Sequence, residues 1–323
     1  MSRSQTLLAM VICIAPLAAG AQTASRRVAV TFDDLPTAGI ASDAIAAHRE
    51  MTLDLLSALT ERDVPTIGFV NEAKLSAGGH LRDERVDLLQ LWLAAGFDLG
   101  NHSYSHPDLH RVSLEEYEAD VLRGEAVTRE LLAEWTRQPR YFRHPFLHTG
   151  TDLATRKAFE TFLGEHGYRV APVTIDNSEW IFAHAYSLAI KGNDTVLAGR
   201  IGSDYVEYML QMFTFYEDQS QQLFGRNIAH VLLVHANQLN AQWFGALADR
   251  LGALGYEFIT LEAALRDPAY ASADAYTGPG GITWLHRWAI TRNVDPAMFA
   301  GEPQTPAYIL KLTELPEHGY STH

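Results

Sequence analysis

The chain has 323 residues, of which 47% are hydrophobic, 10% aromatic and 20% charged, a mixture typical of a globular protein. This composition excludes a disordered chain, a collagen-like chain and a coiled coil. The formal net charge of −14, from 25 basic and 39 acidic residues, argues against a nucleic acid partner and favours a neutral or cationic substrate.

The first 21 residues have the pattern of an export signal. Arg3 supplies a positive charge, residues 7–17 are apolar, and residues 19–21 form a small-residue cleavage site. A membrane anchor is the alternative, but the apolar run is short for a span and a proline interrupts it. We therefore expect a secreted or periplasmic mature chain without a membrane span. Removal of the signal also removes the only cysteine, Cys13, which excludes disulfides and thiolate sites.

Strand-like and helix-like segments alternate along the rest of the chain. Predicted strands lie at 27–32, 65–70, 97–100, 140–143, 168–175, 229–235 and 257–260. Helical patterns separate them, at 42–62 and 81–95 for example, and Ser113 begins a long helix with a capping box to Glu116. Such alternation predicts parallel strands with crossover helices, in an α/β barrel or an open α/β sheet.

Two segments depart from this alternation. Residues 181–228 contain one or two additional helices, and residues 267–323 are rich in proline and glycine with little periodicity. The aromatic residues of both segments fit a core better than a sugar-stacking surface. We expect a signal at 1–21, one catalytic domain at 22–266 that includes the helical insertion, and a C-terminal extension at 267–323.

Two pairs of candidate catalytic residues follow predicted strands. Asp33 and Asp34 end the first strand, and His102 and His106 follow the third. Taken alone, the carboxylates also fit a turn or helix cap, and the histidines an exposed loop. A barrel, however, brings strand ends to one rim. There, two imidazoles and one carboxylate provide three ligands for Zn²⁺ with positions left open, and the second carboxylate can serve as general base.

Three later segments add groups that suit a hydrolase. Arg143 follows a strand and offers a guanidinium that can hold a carboxylate through two nitrogens. The segment Asp176–Trp180 places acids beside a large aromatic side chain, and His235 ends a strand two residues after Leu233. Each also fits a structural role, as a surface ion pair, a core tryptophan or a strand-end histidine with its hydrogen bonds made.

The ordered set of motifs resembles the polysaccharide deacetylase family with the NodB-homology domain, carbohydrate esterase family 4. The motifs that carry the resemblance are Thr31-Phe32-Asp33-Asp34, His102-Ser103-Tyr104-Ser105-His106, Arg143-His144-Pro145-Phe146, Asp176-Asn177-Ser178-Glu179-Trp180 and Leu233-Val234-His235. All five occur in family order between residues 31 and 235. The resemblance implies an α/β fold, a distorted (β/α) barrel of about seven strands, here with a helical insertion and an irregular C-terminal extension.

The resemblance also implies a metal site and two proton-transfer groups. Asp34, His102 and His106 would hold one divalent ion, Zn²⁺ in the first place and Co²⁺ as an alternative, since this donor set suits borderline metals. Asp33 would be the general base. His235 would be the general acid that protonates the leaving group.

The remaining residues that match the family are implied to support this chemistry. Arg143 would orient Asp33, Glu179 would pair with His235, and Asp176 joins them among the catalytic residues. The residues implied to bind the substrate are Trp180, Leu233 and, through its backbone N–H, Phe146.

The chain departs from the family pattern at several points. Phe146 replaces the usual tyrosine, and Glu179 stands where many members have aspartate. His144 and His148 add imidazoles near the rim, and the insertion at 181–228 is longer than expected between the last two motifs.

These observations predict an exported, metal-dependent hydrolase that acts on a carbohydrate substrate. Its reaction would be the removal of acetyl groups from N-acetylated sugars, such as chitin-like oligomers or peptidoglycan, to yield the free amine and acetate. An O-deacetylase of the acetylxylan type, with the same residues, is the first alternative. A non-sugar amidase on the same barrel and a non-catalytic sugar-binding module are the others, although the full set of catalytic residues argues against the module.

Overall fold

The computed structural model describes residues 26–316, so the predicted export signal at 1–21 lies outside the described residues. Within the described range the strands are β1 (Arg26–Leu35), β2 (Thr66–Val70), β3 (Ser76–Ala77), β4 (His80–Leu81), β5 (Asp98–Asn101), β6 (Tyr141–Phe142), β7 (Arg169–Val170), β8 (Ala229–His235) and β9 (Tyr256–Phe258). The helices are α1 (Ile45–Thr60), α2 (Asp83–Ala94), α3 (Leu114–Arg123), α4 (Ala126–Glu134), α5 (Leu153–Glu165), α6 (Glu179–Lys191), α7 (Thr195–Phe224), α8 (Gln238–Ala253), α9 (Leu261–Ala264), α10 (Trp284–Thr291) and α11 (Ala307–Thr313). No helix within residues 26–316 combines the length and apolar character needed to cross a bilayer.

Seven parallel strands form one curled sheet. Its strand order is β7-β6-β5-β2-β1-β8, and β9 also pairs with β1, while β3 and β4 form a separate hairpin. The segment after β7 curls round to β8, where the amides of Thr174 and Ile175 donate to the Val231 carbonyl, each at 3.0 Å. The predicted distorted barrel of about seven strands is therefore confirmed.

The sheet buries both of its faces, which explains why residues 28–30 of β1 are apolar on both sides of the strand. On one face of β1, Phe32 meets Trp92 of α2 and Phe244 of α8 edge to face, with ring centroids 5.5 and 5.6 Å apart. On the other face, Ala29 packs with Ile67 and other residues of neighbouring strands, inside the curl of the sheet. This two-sided burial is typical of parallel sheets covered by helices.

The helix predicted to begin at Ser113 does begin there, with the capping box to Glu116, but its predicted length is wrong. It ends at Arg123, and α4 follows as a separate helix. Gly124 at the break lies against the backbone of the loop after β5, where an added Cβ would come within 2.4 Å of Ser103. The break thus allows close contact with the loop that carries two of the candidate metal ligands.

The insertion at 181–228 consists of the two helices α6 and α7, as predicted. Their aromatic residues are mostly core, and those that are buried include Phe182, Tyr205, Tyr208, Phe213 and Tyr216. The C-terminal extension is more regular than predicted, because it contains α10 and α11. Trp284 and Trp288 on α10 are buried, so the aromatic residues of the extension belong to the hydrophobic core.

Substitution of Trp288 tests whether the extension is an integral part of the core. Its ring contacts Phe224 of α7 and Tyr270, with centroids 5.7 and 5.6 Å away. We expect Trp288→Ala to lower the free energy of unfolding by about 3–5 kcal/mol, as large-to-small core substitutions do. Denaturant unfolding measures this loss. Trp135→Ala, at a half-exposed tryptophan, is the matched control and should cost much less; equal losses would contradict the core assignment.

Candidate active site

A cavity of about 490 Å³ lies where the carboxyl ends of the strands meet. Predicted site residues that line it are Asp33, Asp34, His102, His106, Phe146, Asp176, Trp180, Leu233 and His235. The other two predicted site residues, Arg143 and Glu179, are buried and contact Asp33 and His235, respectively. The fold therefore brings all five motifs to one place, as expected for the C-terminal rim of an α/β barrel.

Asp34, His102 and His106 converge as a set of side chains that could hold a metal ion. The Oδ1 atom of Asp34 lies 3.7 Å from the Nε2 atom of His102 and 3.8 Å from that of His106. One ligand atom from each of the three residues lies within 4.8 Å of the others. The Oδ1 atom is buried and accepts no hydrogen bond from any residue between 26 and 316, so it is available for a cation. Asp34 has a positive φ of 69°. The backbone turns at this residue, so the side chains of the adjacent Asp33 and Asp34 point in different directions.

Both histidines of this set are in the neutral form that can coordinate a metal ion. The Nδ1 atom of His102 lies 2.8 Å from the Arg143 carbonyl, which can only accept, so the proton is on Nδ1 and Nε2 is a free donor to a metal. Burial lowers the pKa of both imidazoles, and it does so strongly for His102. Two neutral imidazoles and one carboxylate are a suitable donor set for Zn²⁺ or Co²⁺, with coordination positions left open.

Asp33 is buried beside a guanidinium. The Nη1 atom of Arg143 lies 3.5 Å from its Oδ2 atom, while Nη2 donates to Thr31 Oγ1 at 2.9 Å. No hydrogen bond joins the two side chains within the described residues, so Arg143 acts on the carboxylate as a nearby positive charge, and the two-nitrogen contact that the sequence suggested is wrong. Burial raises the pKa of Asp33 to about 6, against the opposing charge of Arg143. A carboxylate with this pKa is ionised at neutral pH and remains basic enough to accept a proton.

His235 forms the second charged pair of the site. Its Nδ1 atom lies 2.8 Å from Glu179 Oε2, and the amide of Asn240 donates to Oε1 at 2.7 Å. Asn237 donates to the same Oε1 atom. Burial alone would lower the pKa of His235, but the hydrogen bond and charge of Glu179 outweigh it and raise that pKa to about 9. The imidazole is therefore protonated at neutral pH and can act as an acid.

The structure brings two further residues to the candidate site that the sequence interpretation missed, Lys74 and Asn237. Lys74, in the turn after β2, lies 3.2 Å from Asp34 Oδ2 and donates to the Asp34 carbonyl. Burial would raise the pKa of Asp34, but Lys74 and the nearby histidines hold it below its ordinary value. A single lysine in a polar turn has no sequence signal of its own. Asn237 had one, because it follows the last motif and caps α8.

Apolar side chains and a constrained backbone segment form part of the cavity wall. Leu233 and Trp180 line it, together with His184 from the same face of α6 as Trp180. Phe146 has a φ of 56°, and its side chain is half exposed at the cavity. Gly281 of the C-terminal extension lies so close that an added Cβ would be 1.7 Å from the Phe146 carbonyl oxygen. The extension thus borders the cavity directly.

Comparisons with known proteins agree with the predicted resemblance. Residues 20–170 match the polysaccharide deacetylase family. A chitin deacetylase from Colletotrichum lindemuthianum is 27% identical over 156 residues, which are 47% of this chain and 52% of that protein. A peptidoglycan-N-acetylglucosamine deacetylase from Bacillus cereus is 24% identical over 153 residues, 47% of this chain and 46% of that protein. The chain thus spans about half the length of these curated relatives.

The solved structure of the chitin deacetylase from Colletotrichum lindemuthianum has the same fold. Its TM-score is 0.50 at 23% sequence identity, over 76% of this chain and 89% of that chain. The family match ends at residue 170 and so contains the first three motifs only. The last two motifs lie beyond it, and the tertiary structure places them at the same cavity.

The charged pair of His235 and Glu179 can be tested by titration of the metal-free protein. We expect the His235 imidazole to titrate near pH 9, and Glu179→Gln to lower its pKa by about 1–3, because the partner charge is lost. NMR of the histidine ring signals measures both values. His230 is the internal control, since burial lowers its pKa to about 3 and it lies away from Glu179. A wild-type His235 signal that titrates below pH 7 would contradict the assignment.

Proposed function

We propose that this chain, which belongs to the polysaccharide deacetylase family through its residues 20–170, is a metal-dependent hydrolase of N-acetylated sugars. It would convert acetamido groups of chitin-like oligomers or peptidoglycan to the free amine and acetate. The observation that carries the proposal is the placement of a buried base, Asp33, and a protonated acid, His235, beside the Asp34 metal-binding set. The names of the matching relatives, which are deacetylases of chitin, chitooligosaccharides and peptidoglycan, support the substrate class.

The metal-binding residues would hold one divalent ion, Zn²⁺ or Co²⁺. The Asp34 Oδ1 atom, which has no hydrogen-bond partner within the described residues, and the nearby Nε2 atoms of His102 and His106 fit such an ion. A bound ion supplies Lewis acidity, which polarises the substrate carbonyl and activates a water molecule. Lys74 stays on the Oδ2 side of Asp34, so it orients the carboxylate while Oδ1 faces the imidazoles.

Asp33 would accept a proton from the attacking water. Its pKa of about 6 leaves it ionised at neutral pH, and the nearby charge of Arg143, 3.5 Å away, favours the ionised form without making it a weak base. Its Oδ1 atom is buried and has no hydrogen-bond partner within the described residues. That oxygen is therefore available for the proton.

His235 would donate a proton to the leaving nitrogen. An amide needs such an acid, because an unprotonated amine is a poor leaving group. Glu179 and the two asparagine amides that bind it keep the imidazole charged and fix its ring orientation. The same acid is less important for an ester, so the alternative of an O-deacetylase differs in how much it depends on His235.

The substrate's acetyl methyl would lie against Leu233 and Trp180, the apolar part of the cavity wall. The backbone N–H of Phe146 would donate to the developing oxyanion, as an oxyanion-hole donor does. We also propose that the enzyme acts outside the cytoplasm, as the predicted export signal suggests. Polymeric N-acetylated sugars of cell walls are found there.

Release of acetate tests the proposed reaction most directly. The metal-stripped mature protein is incubated with N-acetylglucosamine oligomers, with and without added Zn²⁺, and acetate is measured. We expect release only with the metal, and the same result with Co²⁺. Acetate from an acetylated xylan but not from the oligomers would favour the O-deacetylase, and no acetate from either, with metal bound, would overturn the proposal.

The different roles proposed for the adjacent Asp33 and Asp34 give a second prediction. Asp33→Asn removes the base but none of the metal ligands, so we expect normal metal content and a loss of at least about 100-fold in kcat. Asp34→Ala removes a ligand and should lower both metal content and activity. Elemental analysis and acetate release measure the two effects separately. Equal loss of metal in both variants would contradict the roles assigned here.

A further inference from the structure

A second cluster of two histidines and one aspartate lies next to the active site. It consists of Asp108, His110 and His148, and one ligand atom from each lies within 4.8 Å of the others. Asp108 and His110 belong to the loop after β5, and His148 belongs to the loop after β6. The cluster has no role in the hydrolysis proposed above.

The internal contacts of this cluster leave a metal donor free. The Nδ1 atom of His148 lies 2.6 Å from Asp108 Oδ1, and the same oxygen accepts the His110 backbone amide at 2.8 Å. The Nε2 atom of His110 is buried and has no hydrogen-bond partner within the described residues. With the ring proton on Nδ1, this nitrogen offers a lone pair to a metal ion.

We propose that Asp108, His110 and His148 bind a second divalent transition-metal ion of the Zn²⁺ class. The donors are the same as in the first set, two imidazoles and one carboxylate, and they suit a borderline metal. The ion replaces the hydrogen bond between His148 and Asp108 and satisfies the unpartnered nitrogen of His110. Arg111, which lies 3.2 Å from Asp108 Oδ2, is largely exposed and can remain on that oxygen.

Metal binding requires one ring to move. The His110 and His148 rings stack with centroids 3.9 Å apart and an angle of 5° between planes. Two parallel imidazoles cannot both direct their lone pairs at one ion, so one ring must tilt. The side chain of His148 is 17% exposed, and rotation about its side-chain bonds gives the tilt without a change in the backbone.

The position of the cluster gives this ion a structural role. The Phe146 ring lies between the two sets, with its centroid 4.5 Å from that of His106 and 5.8 Å from that of His148. Asp108 follows the ligand His106 by two residues, and His148 follows Phe146 by two. A metal bound here joins the loop that carries His106 to the loop that carries Phe146.

Metal stoichiometry tests the proposal without any measurement of activity. Metal-stripped protein is loaded with Zn²⁺, freed of unbound metal by gel filtration and analysed for bound zinc per chain. We expect two ions in the wild type and one in Asp34→Ala, which leaves the second cluster intact. His148→Gln and His110→Gln should each retain one ion, and Asp34→Ala combined with His148→Gln should retain none. His80→Gln, at an exposed histidine on β4, is the control and should bind two.

Folding of each variant is checked by circular dichroism and thermal unfolding. A folded Asp34→Ala variant that binds no zinc would overturn the second site, as would a wild type that binds a single ion lost in Asp34→Ala. The proposal is independent of the proposed reaction. If the first site binds no metal, Asp34→Ala and the wild type will bind equal amounts of zinc. His148→Gln will still lose the zinc ion of the second cluster.

Discussion

The register between β1 and β8 is the constraint on which the active site depends. It pairs Asp33 with His235 and, two residues earlier, Thr31 with Leu233. Neighbouring strands lie about 4.8 Å apart, so this pairing holds Asp33 and His235, the proposed base and acid, within reach of one carbonyl group. A slip of one residue would turn one of the two side chains to the opposite face of the sheet. Such a slip would also exchange the faces of the small Ala29 and the large Phe32, whose packing on the two buried faces is different.

Burial of charge then gives the carboxylates different properties. Asp33 and Asp34 are adjacent in the chain, yet burial raises the pKa of Asp33 whereas Lys74 and the histidines lower that of Asp34. His235 remains charged because Glu179 pairs with it. Separation of pKa values between neighbouring groups is how one site provides both a base and an acid at neutral pH. Each buried charge has a partner, as buried ions require.

The segments outside the family match complete the site. Glu179 and Trp180 stand at the start of α6, and the amide of Ser178 donates to the hydroxyl of Tyr208 on α7, which ties the insertion to the cavity wall. On the opposite side, Gly281 of the extension lies against Phe146. None of these contacts was predictable from the sequence, since insertion and extension have no periodic relation to the strands they cover.

The sequence by itself determined the alternation of strands and helices and the order of the five motifs. The alternation, a local pattern of apolar periodicity, allowed a barrel or an open sheet, and the resemblance carried by the five motifs implied the barrel. Only the tertiary structure decided that Arg143 lies beside Asp33 without a hydrogen bond to it, that Lys74 faces Asp34, and that the helix begun at Ser113 stops at Gly124. Those features depend on contacts between residues far apart in the chain, and on close backbone approach, neither of which a local pattern encodes.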